Sequence, residues 1–150
     1  MKKLFVSMLV AVFMVVPFGF VFAGGTADEA KEMVDKAAAY VQANGKEAAL
    51  KEFNNPKGRF VKGELYVFAY DGKGVIIANS ANPKTVGVNA MELPDVDGKM
   101  FRKEGIALAK KNGSGWTDYK YKNPVSGKVE QKTSYLKMAG DIIVGCGIYK

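Results

Sequence analysis

The sequence contains no histidine and only one cysteine, Cys146. Without histidine the usual imidazole general base is missing. The two counts together exclude zinc sites built from Cys and His, and any haem-attachment motif. One thiol cannot close an internal disulfide, so the fold rests on packing and hydrogen bonding. No P-loop and no dinucleotide fingerprint occurs. Acidic residues are the minority, 15 against 22 Lys and Arg, for a net charge of +7. The lysines are nevertheless spread along the chain, without the dense basic block that nucleic acid or lipid binding would suggest. Such an excess reads as a solvated surface or as a mild preference for anionic partners.

The remaining chemistry is sparse. Ser134 lies two residues from Lys132, on the same strand face, and a Ser–Lys pair is a known nucleophile arrangement. On a strand that pairing is common by chance, and the chain is read as a non-enzyme with no cofactor. Glu92, Asp95 and Asp97 cluster oxygens of the kind hard cations favour. They lack the full calcium-loop spacing, and Asp95-Val96-Asp97-Gly98 reads as an ordinary turn. Cys146, flanked by Val144 and Ile148, reads as a small buried core residue.

The N-terminus has Lys2 and Lys3 before an almost unbroken apolar run from Leu4 to Ala23, interrupted by Pro17 and Gly19. A charged start, an apolar middle and a cut after Ala23 describe a secretory signal peptide over residues 1–23. Residues 24–150 then form a single domain, periplasmic or secreted. The run is also long enough for an uncleaved anchor, which would leave residues 4–23 as a membrane tether.

Thr26-Ala27-Asp28-Glu29 fits a capping box. Ala30, Met33, Val34, Ala37, Ala38 and Val41 then mark one face of an amphipathic helix that stops at Asn44-Gly45. A shorter helix is expected over Lys46–Phe53, closed by a turn at residues 54–58. From Glu64 the period becomes two, with strands expected over 64–70 and 75–78 around the turn Asp71-Gly72-Lys73-Gly74. An irregular stretch to Lys99 precedes a helix over 101–111. Three more strands are expected over 116–121, 128–138 and 142–149. Five strands joined largely by short turns predict an antiparallel sheet with the long N-terminal helix covering one face, an α+β fold.

Aromatic and lysine side chains gather in the sheet. Tyr66, Phe68 and Tyr70 share one face of the first strand. Trp116, Tyr119, Tyr121 and Tyr135 occur with Lys120, Lys122, Lys132 and Lys137. Tyrosine offers a flat wall and a hydroxyl, and lysine a charge for a carboxylate, the ingredients of a small-ligand pocket. The same residues equally describe a sheet with an aromatic core and lysine-decorated edges.

A longer set of residues carries a resemblance. Leu65-Tyr66-Val67-Phe68-Ala69-Tyr70-Asp71-Gly72 is followed by Asn82-Pro83-Lys84 and Gly87-Val88-Asn89. Then come Gly115-Trp116-Thr117-Asp118-Tyr119-Lys120-Tyr121, Asn123-Pro124-Val125-Ser126-Gly127-Lys128, Lys132-Thr133-Ser134-Tyr135 and Gly145-Cys146-Gly147-Ile148-Tyr149. In that order they resemble the single Cache domain, an extracytoplasmic sensor module of bacterial chemoreceptors and sensor kinases. The resemblance implies a PAS-like fold whose second sheet face forms a pocket for a small molecule, often an organic acid. It implies Tyr66, Phe68, Trp116, Tyr119, Tyr121, Lys132 and Tyr135 as ligand-binding residues. In a regular strand Lys132 and Tyr135 point to opposite faces, so either the strand bulges or only one of them lines the pocket. Cache sensors normally sit between two membrane helices and drive a cytoplasmic output domain. This chain shows neither a second membrane segment nor an output module. The expected partners are therefore a small carboxylate and a membrane receptor or sensor kinase, not nucleic acid. A module that docks on a membrane sensor without a ligand of its own is the alternative.

Overall fold

The computed structural model describes residues 24–150, so the signal peptide or anchor read at residues 1–23 lies outside the described residues. Helix α1 spans Ala27–Asn44 and α2 Lys46–Phe53. Strands β1 (Val61–Lys62), β2 (Leu65–Tyr66), β3 (Phe68–Tyr70) and β4 (Ile76–Asn79) follow. After a single 3₁₀ turn at Pro83–Thr85 come α3 (Phe101–Asn112), β5 (Ser114–Lys122), β6 (Val129–Ala139) and β7 (Ile142–Tyr149). Among the described residues no helix is long and apolar enough to cross a membrane.

Helix α1 starts where its capping chemistry places it. Thr26 Oγ1 accepts the Glu29 amide at 3.2 Å, and the Glu29 carboxylate accepts the Thr26 amide at 2.9 Å. Two otherwise orphaned N–H groups are thereby satisfied. Gly45 ends the helix at φ 83°, a backbone angle that suits glycine.

Five strands form one antiparallel sheet in the order β4-β3-β7-β6-β5. The last strand of the chain thus fills its centre. The run expected as one strand over 64–70 is divided. Leu65 and Tyr66 pair with Lys62 and Val61 in a separate two-stranded ribbon turning at Gly63, φ 60°. At Val67, whose N–H donates to the Phe60 carbonyl, the chain crosses into the main sheet. Strand β1 is two residues long, too short to show any periodicity in sequence.

The two faces of the sheet are covered differently. Helices α1 and α2 lie on one face, where Ala30, Val34, Ala37, Ala38 and Phe53 meet Val67, Ala69, Val144 and Cys146. Alanines on the buried stripe of α1 let the helix approach closely, and each buried Val or Phe contributes roughly 1.5–3 kcal/mol. Burial pushes the Cys146 thiol up to about 12, which makes it an inert core residue as the sequence suggested. Helix α3 covers the other face, setting Ile106 and Ala109 against Leu136, Ile143 and Phe68. It comes close because Gly105 faces the sheet: a Cβ there would lie 3.2 Å from Thr117 Cγ2 and 3.3 Å from Leu136 Cδ1.

The connection between β4 and α3 is held by its own polar groups. Asp95 Oδ1 accepts the amides of Asp97 and Lys99, each at 2.9 Å, and Oδ2 accepts that of Lys120 at 2.9 Å. Asp95 thus closes its own turn through one oxygen and ties it to β5 through the other. Glu92 pairs with Lys103 at 2.9 Å and Asp97 with Lys120 at 2.9 Å.

Candidate functional site

The site lies under α3 and begins with two glycines. On the α3 side of β7, Gly145 and Gly147 present no side chain. A Cβ at Gly145 would lie 2.5 Å from the Phe68 ring. One at Gly147 would collide with Ser134 Oγ and approach Lys132 Cε to 2.8 Å. The bare strip on the central strand therefore makes room for the Phe68 ring and the Lys132 stem.

Lys132, in the middle of β6, is only 1% exposed. Its ammonium donates to Tyr66 OH at 2.9 Å and to Tyr149 OH at 3.3 Å. Tyr149 in turn donates to the Lys122 carbonyl at 3.2 Å. The ammonium sits 4.6 Å from the ring centres of Tyr66 and Tyr149, and 5.5 Å from that of Tyr121. Among the described residues no carboxylate forms an ion pair with it. Burial, with a smaller like-charge push from Arg102, lowers the Lys132 pKa to about 7. A buried cation held only by hydroxyls and ring faces lacks the counter-charge that normally accompanies it.

Arg102, in the first turn of α3, is the second cation here and is 8% exposed. Its guanidinium lies 4.2 Å from the Phe101 ring centre and 5.7 Å from that of Tyr121. Nη1 donates to the Leu93 carbonyl at 3.2 Å, while Nε is buried with no partner. Phe101 stacks on Tyr119 at 3.9 Å with planes 7° apart. The Tyr119 hydroxyl bonds Ser134 Oγ at 2.9 Å, so the serine of the Ser–Lys pair is engaged by a tyrosine. Burial raises the hydroxyl pKa values of Tyr66 and Tyr119 and lifts that of Tyr70 to about 12, keeping all three as neutral hydrogen-bonding walls.

Lys132, Arg102, Tyr66, Tyr70, Tyr121 and Asn79 border a void of about 20 Å³. That volume suits one water molecule. The protein's own side chains thus fill most of the face that the resemblance leads one to expect hollow. An outer groove of about 290 Å³ adjoins it beyond Phe101, Arg102 and Tyr121. A larger groove of about 400 Å³ runs along α1. Its rim charges are already paired, Lys62 with Glu29 and Lys36 with Glu32, so it offers less to a charged ligand.

Of the residues singled out in the sequence, Tyr66, Phe68, Tyr119, Tyr121 and Lys132 converge on this void. Trp116 and Tyr135 do not. Strand β6 pairs without a bulge, so its two-residue period turns Tyr135 to the α1 face. There Tyr135 packs against Trp116, ring centres 5.2 Å apart, and donates to Ser114 Oγ at 2.8 Å. Sequence reasoning missed Arg102, Phe101 and Tyr149 as site residues and left Tyr70 in the strand face only. Arg102 does leave a trace: a cation in a helix's first turn opposes the macrodipole, an anomaly that invites a reason. Phe101 leaves none, because its partner Tyr119 is distant in the chain.

This arrangement is a PAS-like antiparallel sheet whose α3 face gathers tyrosines around two buried cations. The chain belongs to the single Cache domain 2 family, whose model matches residues 26–150. Cache domains are extracytoplasmic sensory ligand-binding modules. Among solved structures it is similar to a methyl-accepting chemotaxis protein from Vibrio parahaemolyticus RIMD 2210633, with TM-score 0.69 and 22% identity over 81% of this chain and 86% of that one. It is also similar to a periplasmic sensor domain of a chemotaxis protein, TM-score 0.65, 23% identity, 81% and 88% covered. A third is a Cache chemosensory domain whose structure addresses carboxylic acid recognition, TM-score 0.63, 26% identity, 81% and 86% covered. No curated protein sequence matches the chain.

Proposed function

We propose that this protein is an exported, non-enzymatic sensor domain that captures a short organic acid in the void around Lys132. The observation that carries this reading is the buried ammonium of Lys132, ringed by tyrosine hydroxyls and aromatic faces and provided with no carboxylate among the described residues. An incoming carboxylate supplies the missing charge at a charge-assisted hydrogen-bond distance of about 2.8 Å. Tyr66 and Tyr149 orient the ammonium, and the rings of Phe68, Tyr119 and Tyr121 exclude water. Because the void is small, capture parts the walls, and that movement is the signal passed to a membrane receptor or sensor kinase. Similarity to a Cache domain described for carboxylic acid recognition supports the ligand class. Residues 1–23 act as the signal peptide, so mass spectrometry of the exported protein finds a mature chain beginning at Gly24.

A thermal-shift screen of short organic acids tests the binding claim. An acid at a hundred times its Kd stabilises the fold by about 2.7 kcal/mol, several degrees in Tm. If no acid at millimolar concentration raises Tm beyond a sodium chloride control, the reading is wrong.

The small void favours a second reading, a ligand-free module that docks on a membrane sensor. In that case Lys132→Ala leaves docking to the partner intact while no acid shifts Tm.

A further inference from the structure

Lys132 is not alone in wanting an anion. Arg102 is more than nine-tenths buried, its Nε has no partner, and it has no carboxylate in salt-bridge reach among the described residues. Both cations border the same void, and both stand against Tyr121, at 5.5 Å and 5.7 Å from its ring centre. The Arg102 charge is felt at Lys132, whose proton affinity it lowers. Two buried like charges that border one void without an acid carry a desolvation cost that only an anion offsets in full.

Neither cation is free to move to the other. The guanidinium is pinned by the Phe101 ring at 4.2 Å and by the Leu93 carbonyl at 3.2 Å. The ammonium is held by the hydroxyls of Tyr66 and Tyr149. One carboxylate at Lys132 would leave the Arg102 charge uncompensated. Helix α3 adds to the demand, since its N-cap residue Met100 supplies no side-chain acceptor to the first-turn amides. Arg102 also stands, with Phe101 and Tyr121, in the wall between the inner void and the outer groove of about 290 Å³. A ligand reaching from Lys132 to this wall therefore has volume to grow into.

We propose that Arg102 is a second anion-holding residue of this site, and that the preferred ligand is a short dicarboxylate with one carboxylate on Lys132 and the other on Arg102. The inference rests on the reading of the void as an organic-acid site and narrows its ligand class. The planar guanidinium suits it to the outer position, because its unpartnered Nε can donate to a carboxylate along a rigid fork.

Isothermal titration calorimetry with succinate, glutarate and butyrate tests it. Succinate and butyrate share four carbons and differ by one carboxylate. The better of the two diacids is expected to bind about tenfold tighter than butyrate, the scale of one charge-assisted pair. Arg102→Gln is expected to collapse that ratio towards one. Butyrate binding as tightly as both diacids overturns the proposal, as does a ratio unchanged in Arg102→Gln. Should that variant not fold, the diacid-to-butyrate ratio of the unaltered protein decides. Binding of monoacids alone defeats only this inference, whereas failure of every acid defeats the organic-acid reading with it.

Discussion

The two faces of the central sheet are built from the same strands and answer to different physics. On the α1 face, Val34, Ala37, Phe53, Val144 and Cys146 are fully or almost fully buried. On the α3 face, Lys132 and Ser134 are buried as deeply, and Arg102 nearly so, among tyrosines. The first face is where burial stabilises the fold. The second holds charge that would be better placed in water. An apolar core and a cluster of buried charge are thus separated by the thickness of one sheet, and a strand's alternation assigns each residue to one or the other.

Three changes test that division. Phe53→Ala should have the largest effect, about 3–5 kcal/mol lost in urea denaturation, because it empties a fully buried aromatic site. A loss below about 1 kcal/mol would show that the α1 face is not the main source of stability.

Lys132→Met should act in the opposite direction. Replacing an uncompensated buried cation by an apolar side chain of similar length should stabilise the empty protein by about 1–4 kcal/mol at pH 7, while removing organic-acid binding. The gain depends on pH. The Lys132 pKa is about 7 folded, against its ordinary 10.5 unfolded. Between those values the unfolded chain holds a proton that the native state has released, so wild-type stability rises with pH relative to the variant. The slope approaches roughly 1.4 kcal/mol per pH unit, and the penalty is fully present below pH 7. Denaturation curves of both proteins at pH 6.5 and pH 9.5 measure it. A destabilised Lys132→Met protein at both values would mean that the lysine supports the fold and that the two faces do one job.

The smallest effect sharpens the contrast from the other side. Thr26→Ala removes half of the α1 capping box and should cost about 1 kcal/mol. Affinity for an organic acid should stay within twofold, since α1 lies across the sheet from the void. A larger change in affinity would show that the faces are coupled.

Much of this architecture is legible in one dimension because it depends on local chemistry. The capping box at Thr26 and Glu29, the apolar stripe of α1, the stop at Gly45 and the hairpin around Asp71 are each written within a few residues. The placement of Tyr66, Phe68 and Tyr70 on one face also follows from the strand period. That period likewise separates Lys132 from Tyr135, and the structure resolves the choice by leaving β6 regular. The same period sets Trp116 opposite Tyr119 and Tyr121 on β5, and only the tertiary structure decided which of these faces meets the void. The ribbon of β1 and β2 was hidden for a different reason: two-residue strands have no pattern to detect.

From its sequence alone, this protein's family likeness followed from an ordered set of motifs that resemble the single Cache domain, while most of its helices and strands, its want of imidazole chemistry and its pool of tyrosines and lysines followed from composition and short-range periodicity. Tertiary structure alone decided that Gly145 and Gly147 would clear a strip for Lys132, and that Arg102 would arrive there from a helix thirty residues away in the chain. Burial is a property of neighbours distant in sequence, and it is burial that turns an ordinary surface cation into one in need of an anion.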